Sequence, residues 1–172
     1  MRTYTFNISL SILNHLGRNL YRSFITVLGE AISNSWDADA TNVSISIDRE
    51  QNTLIITDDG VGMDSESFQN TFLKIGYSKR KDNVTHTPKG RPFIGRKGIG
   101  KLALLSCAKK ITILTKTIDS DITGGVIENA GLDQAIIDDV SANDYILSIP
   151  EAERIDQYKA NLANSGTVII FE

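Results

Sequence analysis

Apolar residues recur along this chain with two different periods, and the switches between them mark out its elements. From about Gly17 to Trp36, Phe24, Val27, Leu28, Ala31 and Ile32 fall at helical spacing, which predicts an amphipathic helix. Val43-Ser-Ile-Ser-Ile47 alternates strictly and Leu54-Ile-Ile-Thr57 is a short apolar run; the polar link Asp48-Arg-Glu-Gln-Asn-Thr53 between them predicts a hairpin. Asp64 or Ser65 can cap a helix that carries Phe68, Phe72 and Ile75 at helical spacing and ends at Gly76. Residues 76 to 95 have no periodicity, two prolines and many charges, and a loop of that length predicts a functional lid or a disordered stretch. A helix over 99–109 follows, then a strand Ile111–Thr115 and a weakly patterned acidic region from Asp119 to Asp144. A strand Tyr145–Ile149, a helix Glu151–Leu162 and a final strand Val168–Phe171 complete the chain. There is no regular βαβ alternation, so the class is α+β with a mixed, mostly antiparallel sheet.

A chain of 172 residues with ordinary apolar content fits one domain, 1–172, able to bury its own core. Apolar runs such as Leu102 to Leu105 are too short to cross a bilayer, and the opening Met1-Arg-Thr-Tyr-Thr-Phe lacks the layout of a secretory signal. A cytoplasmic protein without membrane contact is expected. Cys107 is the single cysteine, which excludes an internal disulfide and any multi-cysteine zinc site. Charge changes the picture more. Between Lys74 and Lys101 stand nine basic residues against Asp82 alone, a net +8 in a chain whose total is −3, leaving −11 for the remainder. A basic block in an acidic protein points to a local anionic ligand, a polyphosphate or a nucleic acid, or else to a solvated loop.

Three segments carry candidate chemistry. Glu30, Asn34 and Asp37 are spaced i, i+4 and i+7, which puts them within about 60° of one another on a helix. On that helix alone a solvated polar face is the simpler reading. The chemical one has Asn34 offering a carbonyl oxygen to Mg²⁺ while Glu30 polarises an attacking water. Next, Thr57-Asp58-Asp59-Gly60-Val61-Gly62-Met63 follows an apolar strand. Asp and Gly suit any tight turn, yet a strand-end carboxylate also accepts from an exocyclic amine such as adenine's, with glycines letting the base lie close. Finally, Gly95-Arg-Lys-Gly98-Ile99-Gly100-Lys101 runs into a predicted helix, where freed backbone amides and the helix dipole attract phosphate. The spacing matches neither the P-loop nor the dinucleotide fingerprint. A glycine-rich hinge is the bland alternative.

In order and context these segments resemble the gyrase, heat-shock-90, histidine-kinase and MutL (GHKL) superfamily. Glu30 to Ala38 looks like its asparagine-bearing box, Asp58 to Met63 like its adenine box and Gly95 to Gly100 like its phosphate-lid box. Gly166-Thr167 looks like its glycine-threonine element, whose hydroxyl supports the adenine aspartate through water. The run Asn34 to Val43 is closer to the MutL, MORC and heat-shock-90 branch than to sensor kinases; Asp59 stands where asparagine is commoner. The resemblance implies a two-layer α/β sandwich of the GHKL (Bergerat) type with helices on one face, and residues 76–97 as an ATP lid. It implies ATP and Mg²⁺ as ligands, with Glu30 as general base and Asn34 on the metal. Asp37, Asp58, Gly60, Gly62, Met63 and Thr167 would surround the nucleotide with Gly95, Gly98, Ile99, Gly100 and Lys101; Lys79 sits in a segment similar to the MutL lid. The implied activity is slow ATP hydrolysis serving a conformational or dimerisation switch, with ATP or ADP and a second copy as partners. A transducer-like domain that supplies a lysine in relatives is missing after the last strand, so the chain reads as the N-terminal part of a longer protein. A nucleic-acid-binding module using residues 74–101 and a sensor-kinase catalytic domain are the alternatives.

Overall fold

The computed structural model describes residues 9–12, 14–15, 23–75, 85–95, 104, 108–142 and 144–172. Most of the helix expected over 99–109, together with Cys107, Gly76 and the start of the first helix, lies outside the described residues.

Five strands form one sheet in the order β1-β2-β5-β3-β4: β1 (Val43–Asp48), β2 (Thr53–Asp58), β3 (Lys110–Lys116), β4 (Thr123–Glu128) and β5 (Gly166–Phe171). Every pair is antiparallel. The strand last in sequence lies at the centre because Gly166-Thr-Val-Ile-Ile-Phe171 offers apolar side chains to both faces, and all six of its residues are buried. Ile169 and Phe171 join Leu54, Ile56, Ile111 and Ile113 on one face, where helix α1 (Phe24–Asp37) lays down Val27 and Ala31. Val168 and Ile170 project to the other face with Leu114, under Tyr158 of α4 (Ala152–Tyr158) and Leu162 just beyond it. The expected α+β architecture is thus present, and α4 adds cover beyond the single helical layer expected.

The first hairpin forms as its pattern predicts, with Ile45 opposite Ile56 and Ile47 opposite Leu54. Its turn is held by the Asp48 carboxylate, which accepts from the amides of Glu50 and Gln51 at 2.9 and 3.0 Å. The alternation in β1 does not mean half burial: β1 is an edge strand and Ile45 and Ile47 are 43% and 64% exposed. Asp64 caps α2 (Ser65–Ser67) by accepting from the Ser67 amide at 2.8 Å, and a π-helical turn, Phe68–Phe72, continues it with the two phenylalanine rings stacked.

One expectation is corrected, and the acidic region holds a strand that its pattern does not show. Tyr145–Ile149 is not a strand; it meets the sheet at a single bridge where the Val126 amide donates to the Ser148 carbonyl at 2.8 Å, and Ile146 and Ile149 stay exposed. The acidic region instead contains β4 and α3 (Asn129–Ile137). Glycines at 124 and 125 hide β4 from a propensity reading, while pairing with β3 along its length decides for the strand.

Replacing Ile113, fully buried between α1 and the sheet, with Ala should lower unfolding free energy by about 2–5 kcal/mol in urea titration. Ile45→Ala on the exposed edge should change it by about 0.5 kcal/mol or less.

Candidate functional site

Asp58 ends β2 opposite Thr167 of β5, so sheet register alone brings the second candidate segment against the last strand. One carboxylate oxygen accepts from the Gly60 amide at 3.0 Å, closing a tight turn; the other accepts from the Ser35 hydroxyl of α1 at 2.9 Å. Burial pushes the Asp58 carboxyl above its ordinary value and the nearby Asp59 adds to this, while the Gly60 amide, the Ser35 hydroxyl and the Thr167 amide pull the other way. A carboxylate offers about four acceptor positions, so these donors leave capacity for another.

Around it the backbone is tightly fixed. Gly62 has φ +66°, and a Cβ there would stand 1.8 Å from the Lys116 carbonyl oxygen, so only glycine fits. The Met63 amide donates to the Thr115 hydroxyl at 2.9 Å; that hydroxyl donates to the Gly166 carbonyl at 2.9 Å and lies 3.2 Å from the Thr167 hydroxyl. Ser165 donates to the Gly60 carbonyl at 2.8 Å. Asp59 points away from Asp58: it accepts from the amides of Thr41 and Asn42 at 2.6 and 2.8 Å and from the Asn42 side chain at 2.9 Å. These donors, the Asn42 amide foremost, hold its carboxyl below the ordinary value. An aspartate where the resemblance favours asparagine therefore has a structural use here.

The described part of the long loop, 85–95, is a small hairpin. His86 bridges Pro92, and Thr87 and Gly90 close a turn with Gly90 donating to Thr87 at 2.8 Å. It sits against the C-terminal end of α1. Asp37, buried on α1, accepts from the amides of Ile94 and Gly95 at 2.8 and 3.0 Å. Asp39, 1% exposed and at φ +60°, accepts from the Thr87 hydroxyl and, at 3.1 Å, from the Lys89 amide. Burial would raise the Asp39 carboxyl, yet the Thr87 and Lys89 hydrogen bonds with the charges of Arg91 and Lys89 bring it below its ordinary value. Arg91 donates to the Ala40 carbonyl at 2.6 Å and lies over Trp36, whose indole donates to the Pro92 carbonyl at 3.0 Å.

Of the residues singled out from sequence, Asp58, Gly60, Gly62, Met63 and Thr167 come together, and Ser35 ties them to α1. Asp37 and Gly95 meet each other. Glu30 and Asn34 are half-buried on α1, Asn34 directly preceding Ser35, which touches Asp58. Lys79, Gly98, Ile99, Gly100 and Lys101 lie outside the described residues, as does all of the 76–97 segment except 85–95. Ser35, Asp39 and Thr115 were not singled out. Asp39 carried one readable signal, an Asp just after a helix where a left-handed residue is common; Ser35 and Thr115 carried none. Two concavities lie away from Asp58. One of about 640 Å³ is at the far end of the sheet, lined by Phe24, Leu54 and Phe171 among others; one of about 210 Å³ lies near Arg154 and Lys110.

Comparison with known proteins adds the following. A family model described as "Histidine kinase-, DNA gyrase B-, and HSP90-like ATPase" matches residues 21–166. The chain is 38% identical, over 80% of its length, to 22% of a Herpetosiphon aurantiacus protein described as a candidate type II restriction enzyme, HgiDII. It is 31% identical, over 72% of its length, to 21% of the chaperone protein HtpG of Oceanobacillus iheyensis. It is also 31% identical, over 60% of its length, to 17% of an endoplasmin homolog of Caenorhabditis elegans. The chain thus spans about a fifth of the length of these curated relatives. No described helix is long and apolar enough to cross a membrane.

Because the folded-state pKa of Asp58 is raised, the folded protein holds its proton to higher pH than the unfolded chain does. Stability is therefore lost as pH rises from the ordinary carboxylate value through the raised one. Asp58→Asn removes that penalty, and the network survives: the amide oxygen can take Gly60, and Ser35 can donate to the Ala31 carbonyl, 3.1 Å away. Thermal melts should show this variant at least as stable as the parent at pH 7, with the difference shrinking toward pH 4. A clear loss of stability at pH 7 would contradict it.

Proposed function

This chain belongs to the histidine kinase-, DNA gyrase B- and HSP90-like ATPase family, and we propose that it binds ATP with Mg²⁺ around Asp58 and hydrolyses it slowly as a conformational or dimerisation switch. The observation that carries this reading is the state of Asp58: a buried carboxylate at a strand end, with acceptor capacity left beyond its three donors, beside a backbone in which only glycine fits at 62. Such a group is stabilised by an exocyclic amine that donates to it, as adenine does. Thr167 pairs with Asp58 across the strands and Met63 is tied to it through Thr115, and in this reading the Thr167 hydroxyl would hold a water against the base.

The polyphosphate would run from there along the C-terminal half of α1 toward Gly95. Asn34, half-buried next to Ser35, suits the metal, a hard cation that keeps most of its waters and phosphate oxygens as ligands. Bound there, Mg²⁺ would neutralise phosphate charge. Glu30, one turn earlier on the same face, takes the proton of the attacking water. Gly98, Ile99, Gly100 and Lys101 supply amides and a charge to the phosphates in this reading, and Lys79 belongs with them.

Against a nucleic-acid module stands the use already made of Lys89 and Arg91, the Lys and Arg of the described hairpin. The Lys89 ammonium donates to the Asp39 carbonyl at 2.9 Å, and Arg91 to Ala40, whereas a phosphate-tracking surface presents free cations.

Calorimetric titration with a non-hydrolysable ATP analogue and Mg²⁺ should give saturable binding to the parent chain. Asp58→Asn should weaken it by about 10- to 100-fold, the worth of a hydrogen bond to a charged group. Glu30→Gln should keep the affinity and slow hydrolysis by about 100-fold or more. Unchanged affinity in Asp58→Asn would sink the reading.

A further inference from the structure

The two aspartates that flank Ala38 hold the hairpin 85–95 from both of its ends. Asp37 binds the amides of Ile94 and Gly95 where the hairpin ends, and it leaves no room for a side chain there, since a Cβ on Gly95 would lie 2.7 Å from its carboxylate. Asp39 binds the turn at the opposite end through the Thr87 hydroxyl and the Lys89 amide, while Lys89 reaches back to the Asp39 carbonyl. Thr87 spans the turn, because its hydroxyl also accepts from the Arg91 amide at 3.1 Å. The contacts are polar and specific, made by two buried carboxylates. A charged group so deeply enclosed persists only where donors are fixed around it.

We propose that Asp39 is a positioning residue that, through Thr87 and Lys89, keeps the 85–95 hairpin on the end of α1 and so holds Ile94 and Gly95 on Asp37. The inference deepens the nucleotide-site reading and rests on it for one consequence: a hairpin seated this way retains bound nucleotide, and loosening it speeds release. Asp37 then serves by fixing the backbone that leads into the glycine-rich segment rather than by touching the ligand.

Aspartate and asparagine both tolerate the left-handed backbone at 39. Asp39→Asn therefore preserves the turn and removes the charge and one of the two acceptor oxygens. Thr87→Val removes the hydroxyl from the other side, and Thr87→Ser restores it. In the full chain, amide hydrogen exchange at Ile94 and Gly95 should accelerate about 10-fold or more in Asp39→Asn and Thr87→Val, with β2 and β5 amides unchanged, and return toward the parent rate in Thr87→Ser. Dissociation of a fluorescent ATP analogue should quicken by a similar factor while the β2 and β5 amides keep the parent exchange rates, a split that a global loss of stability would not produce. Parent-like exchange at Ile94 and Gly95 in Asp39→Asn, or no rescue by Thr87→Ser, would overturn the clamp. A parent chain that binds no nucleotide would overturn the functional reading instead, and the exchange rates would still decide the clamp.

Discussion

The structure depends on the last residue of α1 and the five that join it to β1. Each of them, from Asp37 to Asn42, hydrogen-bonds to one of two loops that are distant in sequence. Asp37 takes Ile94 and Gly95; the Ala38 carbonyl takes the Val61 amide at 2.8 Å; Asp39 and Ala40 take Thr87, Lys89 and Arg91; and Thr41 and Asn42 donate to Asp59. A junction with this many fixed partners cannot shift one loop without straining the other. The turn from Asp58 to Met63 and the hairpin of the long loop are thereby set in one frame, whose stiffness comes from α1 packed on the sheet through Val27 and Ala31.

Three aspartates near that frame are separated by their surroundings. Asp39 and Asp59 are pulled below their ordinary values by hydrogen bonds that together outweigh their burial, helped at Asp39 by the charges of Arg91 and Lys89, and both serve the backbone. Asp58, at the end of a central strand, is pushed the other way because burial outweighs its donors. Environments that drive like groups apart in this manner mark where a ligand can contribute. The same comparison explains why Asp59 can replace an asparagine: its task is to gather Thr41 and Asn42, and a carboxylate accepts from three donors at least as well as an amide oxygen.

The sheet supplies the rest of the positioning. With β5 between β2 and β3, Thr167 lies opposite both Asp58 and Thr115, so three side chains from three strands meet at one end of the sheet. That meeting follows from strand order. It allows the Met63 amide to be tied to Thr115 across 52 positions of sequence.

The sequence by itself determined the α+β class, the first hairpin, α1 and the final strand, because each writes its burial into a local period. It also marked Asp58, Gly60 and Gly62, since a carboxylate and glycines at a strand end are few enough to notice, while Thr167 stood out only through the family resemblance. Only the tertiary structure decided that β5 is central, that β4 exists despite Gly124 and Gly125, and that Tyr145–Ile149 is no strand. It alone decided that Asp37 and Asp39 hold the hairpin and that Ser35 supports Asp58. Those bonds join residues separated by 57, 48 and 23 positions, and a hydrogen bond between distant segments imposes no periodic pattern on either. A polar residue that satisfies a remote donor looks, in sequence, the same as one that faces water.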